Sequence, residues 1–256
     1  MIRASIAAHR EIARRSGRRP IGIAVAGVSM LMVFAAAGAL ATSPAASLPA
    51  DLPEADRVLL GEVLDHVSVT ARSNGDTFLV RSDMFEYLLD HPEFATHLMR
   101  ALEIARYRIW REPDGLWLDD GAGALVRFHV VYAAYGSRVF YLRGHYQPPV
   151  LPAIHGRVVV ILEYRSEPTG GGKSHITPAL ASFVRIDNGF VEALARLFKA
   201  VIAPRAAKVT SRIVIDIAKT ARVIESDPGR VDEALGRRPD VPARELAEFR
   251  RLLARR

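Results

Sequence analysis

The sequence predicts an α+β domain in which an antiparallel sheet, apolar on one face, is covered by a long amphipathic C-terminal helix. Three observations predict it. Four stretches between Leu125 and Ile186 alternate apolar and polar side chains with a period of two. The stretches are joined by turns at Tyr135-Gly136-Ser137 and Thr169-Gly170-Gly171-Gly172 and by a Pro148-Pro149…Pro152 loop, connections short enough for neighbouring antiparallel strands. From Phe190 the period becomes helical and holds to Ile224.

The elements follow in order. Residues 1–20 carry Arg3, Arg10, Arg14, Arg15, Arg18 and Arg19 against Glu11, and Ile21 to Ala41 contains no charge. A basic flank, an apolar run and the small-x-small ending Ala39-Leu40-Ala41 have the pattern of a bacterial export signal. The run is also long enough to span a bilayer, which takes ~20 residues. Residues 1–41 are therefore expected to be a signal peptide or an N-terminal membrane anchor, with the working domain in the periplasm or facing it. Residues 42–53, small and Pro-rich, read as a linker.

Glu54 to Val67 has helical spacing through Val58, Leu59, Val63, Leu64 and Val67. Ser73-Asn74-Gly75-Asp76 is a turn signal, and Thr77 to Val80 a short strand. Ser82 or Asp83 is expected to cap a helix with Met84, Phe85, Leu88 and Leu89, followed after His91-Pro92 by a second helix through Phe94, Leu98, Met99 and Leu102. Arg106–Arg111 and Leu116–Leu118 flank the hairpin turn Glu112-Pro113-Asp114-Gly115.

In the meander that follows, alternation puts Val126, Phe128, Val130 and Tyr132 on one face, opposite Arg127 and His129. Phe140, Leu142 and Tyr146 oppose Arg143 and His145; Val158, Val160, Leu162 and Tyr164 oppose Arg157, Glu163 and Arg165. The apolar face requires a cover, and residues 190–224 supply it. Asn188 is the candidate N-cap, Leu194, Leu197, Phe198, Val201 and Ile202 form the apolar side, and Pro204 is expected to kink or restart the helix. Arg205, Lys208, Arg212, Lys219 and Arg222 form a separate basic stripe. Residues 226–256 read as a charged helical tail, loosely attached.

This order of elements resembles the helix-grip architecture of the START / polyketide-cyclase superfamily over about residues 77–225. Phe78 to Phe94 is similar to its first strand and helix pair, and Leu197 to Arg205 to the proline-bearing middle of its final helix. The resemblance implies a curved sheet wrapped around the C-terminal helix, enclosing an apolar cavity. It carries over no catalytic residue, because the superfamily includes lipid carriers and enzymes without a universal site.

Several function classes lose support. There are 35 basic and 28 acidic residues; removing residues 1–41 leaves 29 against 27, too even a balance to suggest nucleic acid. With no cysteine, thiolate metal sites, disulfides and a lipoprotein anchor are excluded. The eight histidines show no tight ligand spacing, so no metal or other cofactor is expected; His129 and His145 are expected to neighbour each other on the polar face. Gly171-Gly172-Lys173-Ser174 lacks the first glycine of a phosphate loop, since that position is Glu167, and reads as a hairpin turn. Asp119-Asp120-Gly121 reads as a polar turn, and Glu163 as a cross-strand partner of an arginine. Tyr132, Tyr146, Tyr164 and Ser182 are the polar groups expected on the apolar face.

The expected ligand site is therefore Phe128, Val130, Tyr132, Leu142, Tyr146, Val160, Leu162 and Tyr164 under Leu194, Leu197 and Phe198, gated by the loop 147–155. The expected ligand is an apolar small molecule or lipid, with a membrane surface as a further partner through the basic stripe. Two alternatives stay open: a cyclase or dehydratase on the same fold, and a fully packed periplasmic adaptor for a partner protein.

Overall fold

The computed structural model describes residues 48–149, 152–187 and 192–254, with residues 192–199 as backbone. The expected signal or anchor, Asn188 and Phe190 lie outside the described residues, as do 150 and 151 of the proposed gating loop. Among the described residues, no helix is long and apolar enough to cross a membrane.

The chain opens with α1 (Glu54–Leu64), whose first turn carries Glu54 and Asp56 against the positive end of the helix dipole. Two strands follow, β1 (Val69–Asn74) and β2 (Phe78–Arg81), then α2 (Ser82–Asp90) and α3 (Pro92–Ala101). The N-cap of α2 is Arg81, one residue ahead of the expected Ser82, whose hydroxyl instead meets Ser174 at 2.8 Å. Pro92 starts α3, where its missing N–H costs nothing. The meander is β3 (Arg108–Glu112), β4 (Gly115–Asp119), β5 (Ala124–Ala134), β6 (Ser137–Tyr146), β7 (Ile154–Gly170) and β8 (Lys173–Ile186). It leads into α4 (Glu192–Ser226), α5 (Pro228–Gly236) and α6 (Ala243–Ala254).

All pairings in the eight-stranded sheet are antiparallel, in the order β1-β8-β7-β6-β5-β4-β3. The strand β2 pairs with the first part of β8 and β1 with its second part. The Gly170-Gly171-Gly172 turn closes β7 onto β8 with all three φ angles positive, at 96°, 59° and 72°, backbone that other residues adopt only under strain. The glycines preceding Lys173 are thus hairpin chemistry.

The long helix α4 packs against β1, β2 and β8. Val214 meets Leu162 and Leu180; Ala218 and Ala221 meet Phe78, Val80 and Ile176; Ile202 meets Val69 and Ile154. A sheet with one long C-terminal helix against its face is the helix-grip arrangement. Pro204 lies inside α4, which continues through it rather than restarting.

Three expectations are corrected. The opposite face of the sheet is not simply polar: α1 buries Leu60 and Val63 there against Val139, Tyr141, Val159 and Ile161, joined by Leu52. Those strands are apolar on both faces at mid-length because both faces are covered. The tail is not loose. Val231, Leu235, Val241 and Phe249 of the α5–α6 segment are buried against Met84, Tyr87, Phe94 and Leu98 of α2 and α3. Finally, His145 lies opposite His155, with ring centroids 5.6 Å apart, while His129 lies opposite Tyr141. The strand offset across β5 and β6 separates the two histidines that alternation alone brings together.

Candidate functional site

Between the sheet and the helices lies a cavity of about 190 Å³. Phe128, Phe140, Leu142, Val160, Leu162 and Leu180 form its floor on adjacent strands. One wall is α4 through Ile213, Ile217, Thr220 and Ala221, and the other is the α2–α3 pair through Phe85, Leu88, Leu89, Pro92, Ala95, Thr96 and Met99. Tyr107, Ile109 and Leu118 close the end beside β3 and β4.

Of the expected ligand site, Phe128, Leu142, Val160 and Leu162 line this cavity. Val130, Tyr132, Tyr146 and Tyr164 are placed differently. Register shifts between Val130 and Tyr132, so β5 carries one extra residue there. A bulge of this kind reverses the alternation beyond it. Tyr132 therefore pairs with Val139 on the α1 side, and its hydroxyl reaches Asp51 at 3.4 Å. Val130, at the bulge itself, is 42% exposed.

Tyr164 and Tyr146 flank the cavity without lining it. Tyr164 is buried among Phe78, Val80 and Phe85. Tyr146 packs with Ile154 and Ile202, under the Arg205 guanidinium at 3.9 Å from its ring centre. The side chains of Leu194, Leu197 and Phe198 lie outside the described residues. Among the described residues, the cavity meets α4 at Ile213, Ile217, Thr220 and Ala221.

The wall from α2 and α3 is the part that sequence reasoning left out. Its signal was present: Phe85, Leu88 and Leu89 fall on one side of a helix, and Pro92, Ala95, Thr96 and Met99 repeat that spacing in the next.

Among the described residues, no carboxylate, imidazole, ammonium or guanidinium lines the cavity. Its polar groups are Thr96, Tyr107 and Thr220. The Thr96 hydroxyl donates to the Glu93 carbonyl at 2.9 Å and accepts from the Ile109 N–H at 3.0 Å. Thr220 donates to the Asp216 carbonyl at 2.7 Å. Tyr107 donates to Met99 Sδ at 3.1 Å, and its hydroxyl is pushed well above the usual phenol range by burial and by the charge of Asp216.

The carboxylates expected as candidates for acid–base chemistry, Asp119, Asp120 and Glu163, lie outside this lining. Asp119 accepts from the Gly121 N–H at 2.8 Å, and Asp120 from Ala122 and Ala124 at 2.8 and 2.9 Å while also holding Arg205. Glu163 is exposed, opposite Ser137 and Ala179 rather than an arginine. In the basic stripe, Arg205 is held by Asp120, Arg212 by Asp216 at 3.0 Å, and Arg222 stands 3.9 Å from Asp76.

No protein-family model matches this sequence. No curated protein matches it either. Solved structures do. The truncated norcoclaurine synthase from Thalictrum flavum is similar over 62% of this chain and 95% of its own, at 13% identity and a TM-score of 0.34. Ara h 8.0201 covers 57% of this chain and 97% of its own, at 10% identity and a TM-score of 0.29. The Zhui aromatase/cyclase from Streptomyces sp. R1128 covers 62% and 98%, at 9% identity and a TM-score of 0.29. These neighbours are helix-grip proteins of the Bet v1/START type, and this chain is similar to them in architecture.

Proposed function

We propose that this chain is an exported carrier that holds an apolar small molecule, a lipid or terpenoid, between its sheet and the helices α2, α3 and α4. One observation carries the reading: a cavity of about 190 Å³ whose lining, among the described residues, is aliphatic and aromatic apart from two threonines and one tyrosine. Such a surface favours a ligand by taking its apolar area out of water, with few polar groups to orient it. The export part rests on the basic flank and uncharged run of residues 1–41.

A cyclase or dehydratase needs a proton donor or acceptor at the reacting atom. Among the described residues, the lining offers only the Tyr107 phenol, whose burial opposes ionisation. A packed adaptor would have no use for the hollow. Binding without chemistry is the reading with the most support.

The test is Val160→Phe, at the cavity floor. In a packed core the added volume costs about 1–3 kcal/mol through forced rotamers; in a hollow it occupies ligand space. The variant is expected to keep the wild-type melting temperature and to lose uptake of a fluorescent apolar probe. Unfolding, or unchanged uptake, would refute the carrier. For export, the intact mass of the envelope-fraction protein is expected to fit a chain starting near Thr42 or a membrane-retained full-length chain; a full-length cytosolic product refutes it.

A further inference from the structure

On the face of the sheet turned to α1, four arginines stand directly opposite one another on adjacent strands. Arg127 of β5 pairs with Arg143 of β6, Arg143 with Arg157 of β7, and Arg157 with Arg185 of β8. Like charges in such positions repel and destabilise a sheet, so the row needs counter-charge. Half of it finds this within the chain. Arg157 binds Asp187 at 2.8 Å and also Glu62 of α1, and Arg185 stands 3.6 Å from Asp187. The other half is poorly compensated. Among the described residues, the carboxylate that Arg127 reaches is Asp114, at 3.6 Å, and its Nε is buried without a hydrogen-bond partner. Arg143 is exposed between Arg127 and Arg157, and among the described residues no carboxylate lies within ion-pair distance of it.

These two arginines line a groove of about 690 Å³, on the opposite side of the sheet from the apolar cavity. Asp56 and Leu59 of α1 and Asp114 and Trp117 of the β3–β4 hairpin line it too. Trp117 stands opposite Arg127 in the sheet. Neither acid of the groove neutralises Arg143. Asp114 is drawn to the Trp117 indole N–H, which it accepts at 2.9 Å, and Asp56 lies in the first turn of α1.

Two guanidiniums on neighbouring strands suit an oxyanion with oxygens for both. A phosphate monoester carries roughly −1.5 to −2 charge and three acceptor oxygens. A carboxylate has one charge and two oxygens, which one arginine fork satisfies.

We propose that this groove binds the phosphate group of an organic phosphate, held between Arg127 and Arg143 as the counter-ion that the row lacks, with the organic part beside Trp117 and Leu59. The site is separate from the apolar cavity and does not depend on the carrier reading. The phosphate arrives either on a soluble ester or as the headgroup of a phospholipid.

The test titrates the full-length chain with phenyl phosphate and with benzoate. The chain's two tryptophans, Trp110 and Trp117, face each other on β3 and β4, so the indole N–H resonances report on this side of the sheet. Phenyl phosphate is expected to shift the Trp117 resonance and to bind more tightly than benzoate. Arg143→Gln and Arg127→Gln are each expected to weaken it about tenfold or more, as loss of a charged hydrogen bond does. Arg143→Gln is also expected to melt no lower than the wild type in phosphate-free buffer, since it removes repulsion from the row. Val160→Phe, in the cavity, is expected to leave phenyl phosphate binding unchanged.

Vesicles of phosphatidylcholine with and without phosphatidic acid separate the two sources. If phosphatidic acid draws the wild type to vesicles more than it draws Arg143→Gln, the headgroup is the ligand. If both proteins respond alike while phenyl phosphate binding still needs Arg143, the ligand is a soluble ester. The proposal is overturned if phenyl phosphate does not bind the wild type, if benzoate binds as well, or if Arg143→Gln keeps full affinity. A clearly lower melting temperature for Arg143→Gln also overturns it, because the guanidinium would then have its partner within the chain. Loss of phenyl phosphate binding in a folded Val160→Phe variant would put the ligand in the cavity and overturn it as well; should that variant fail to fold, the Trp117 shift and the arginine variants decide.

Discussion

Arg138 on β6 donates from Nη2 to Glu86 on α2 at 2.8 Å, and the arginine is only 3% exposed. The same nitrogen reaches Asp90 at 2.9 Å, while Nη1 donates to the Ser137 carbonyl at 3.1 Å. Glu86 also accepts the Tyr164 hydroxyl, and that phenol is pushed up to about 12 by burial and by its bond to Glu86. A charged knot therefore ties α2 to the sheet beside Leu162. It fixes the helix that brings Phe85, Leu88 and Leu89 to the cavity wall.

Removing one member of a buried ion pair leaves the other uncompensated, at a typical cost of about 3–5 kcal/mol. Asp90 is half exposed and regains water when the arginine goes. Arg138→Met is accordingly expected near the lower end, about 3 kcal/mol by urea unfolding. A variant as stable as the wild type would mean that apolar contacts alone hold α2.

The docking of the C-terminal segment gives a second prediction. Phe249 of α6 is fully buried, 5.0 Å from the Phe94 ring and 6.2 Å from Tyr87. Truncating such a ring typically costs about 3–5 kcal/mol in lost transfer energy and cavity formation, and Phe249→Ala is expected to lie in that range. A loosely attached tail would show a change within about 0.5 kcal/mol, as exposed sites do. Chemical denaturation separates the two outcomes.

Much of this fold was legible because alternation and helical spacing are local properties. The six meander strands, α2, α3 and the long α4 follow from them, and the cavity floor at Phe128, Leu142, Val160 and Leu162 follows from the face those strands bury. What failed was non-local. The strand β1 is six residues, Val69 to Asn74, with too little apolar content to announce itself, and it exists through pairing with β8. The bulge that sends Tyr132 to the far face is a property of β5 and β6 together. Val231, Leu235 and Phe249 are spaced among charges, so their burial depends on the surface that α2 and α3 present. The Arg138 cluster was hidden for the same reason: an arginine in an alternating strand reads as solvated until a helix carrying two carboxylates crosses it.

Asp216 supplies the last prediction, a pH dependence whose sign is fixed by its surroundings. Burial raises its carboxyl above the ordinary aspartate value, with Arg212 and Lys219 pulling only partly against it. In the unfolded chain an aspartate titrates near ~3.9. The folded state thus keeps this proton to higher pH than the unfolded state does. The corresponding stabilisation is complete below the unfolded value and is lost as pH rises through the folded one. Asp216→Asn has no proton to lose there. Whatever the variant's stability at about pH 4, its melting temperature relative to wild type is expected to rise between about pH 4 and 7, because only the wild type must then bury a charge. Melts across that range decide the sign. A difference that stays flat would mean that Arg212 fully compensates the carboxylate. A difference that falls would mean that the ion pair with Arg212 outweighs the burial of the carboxylate.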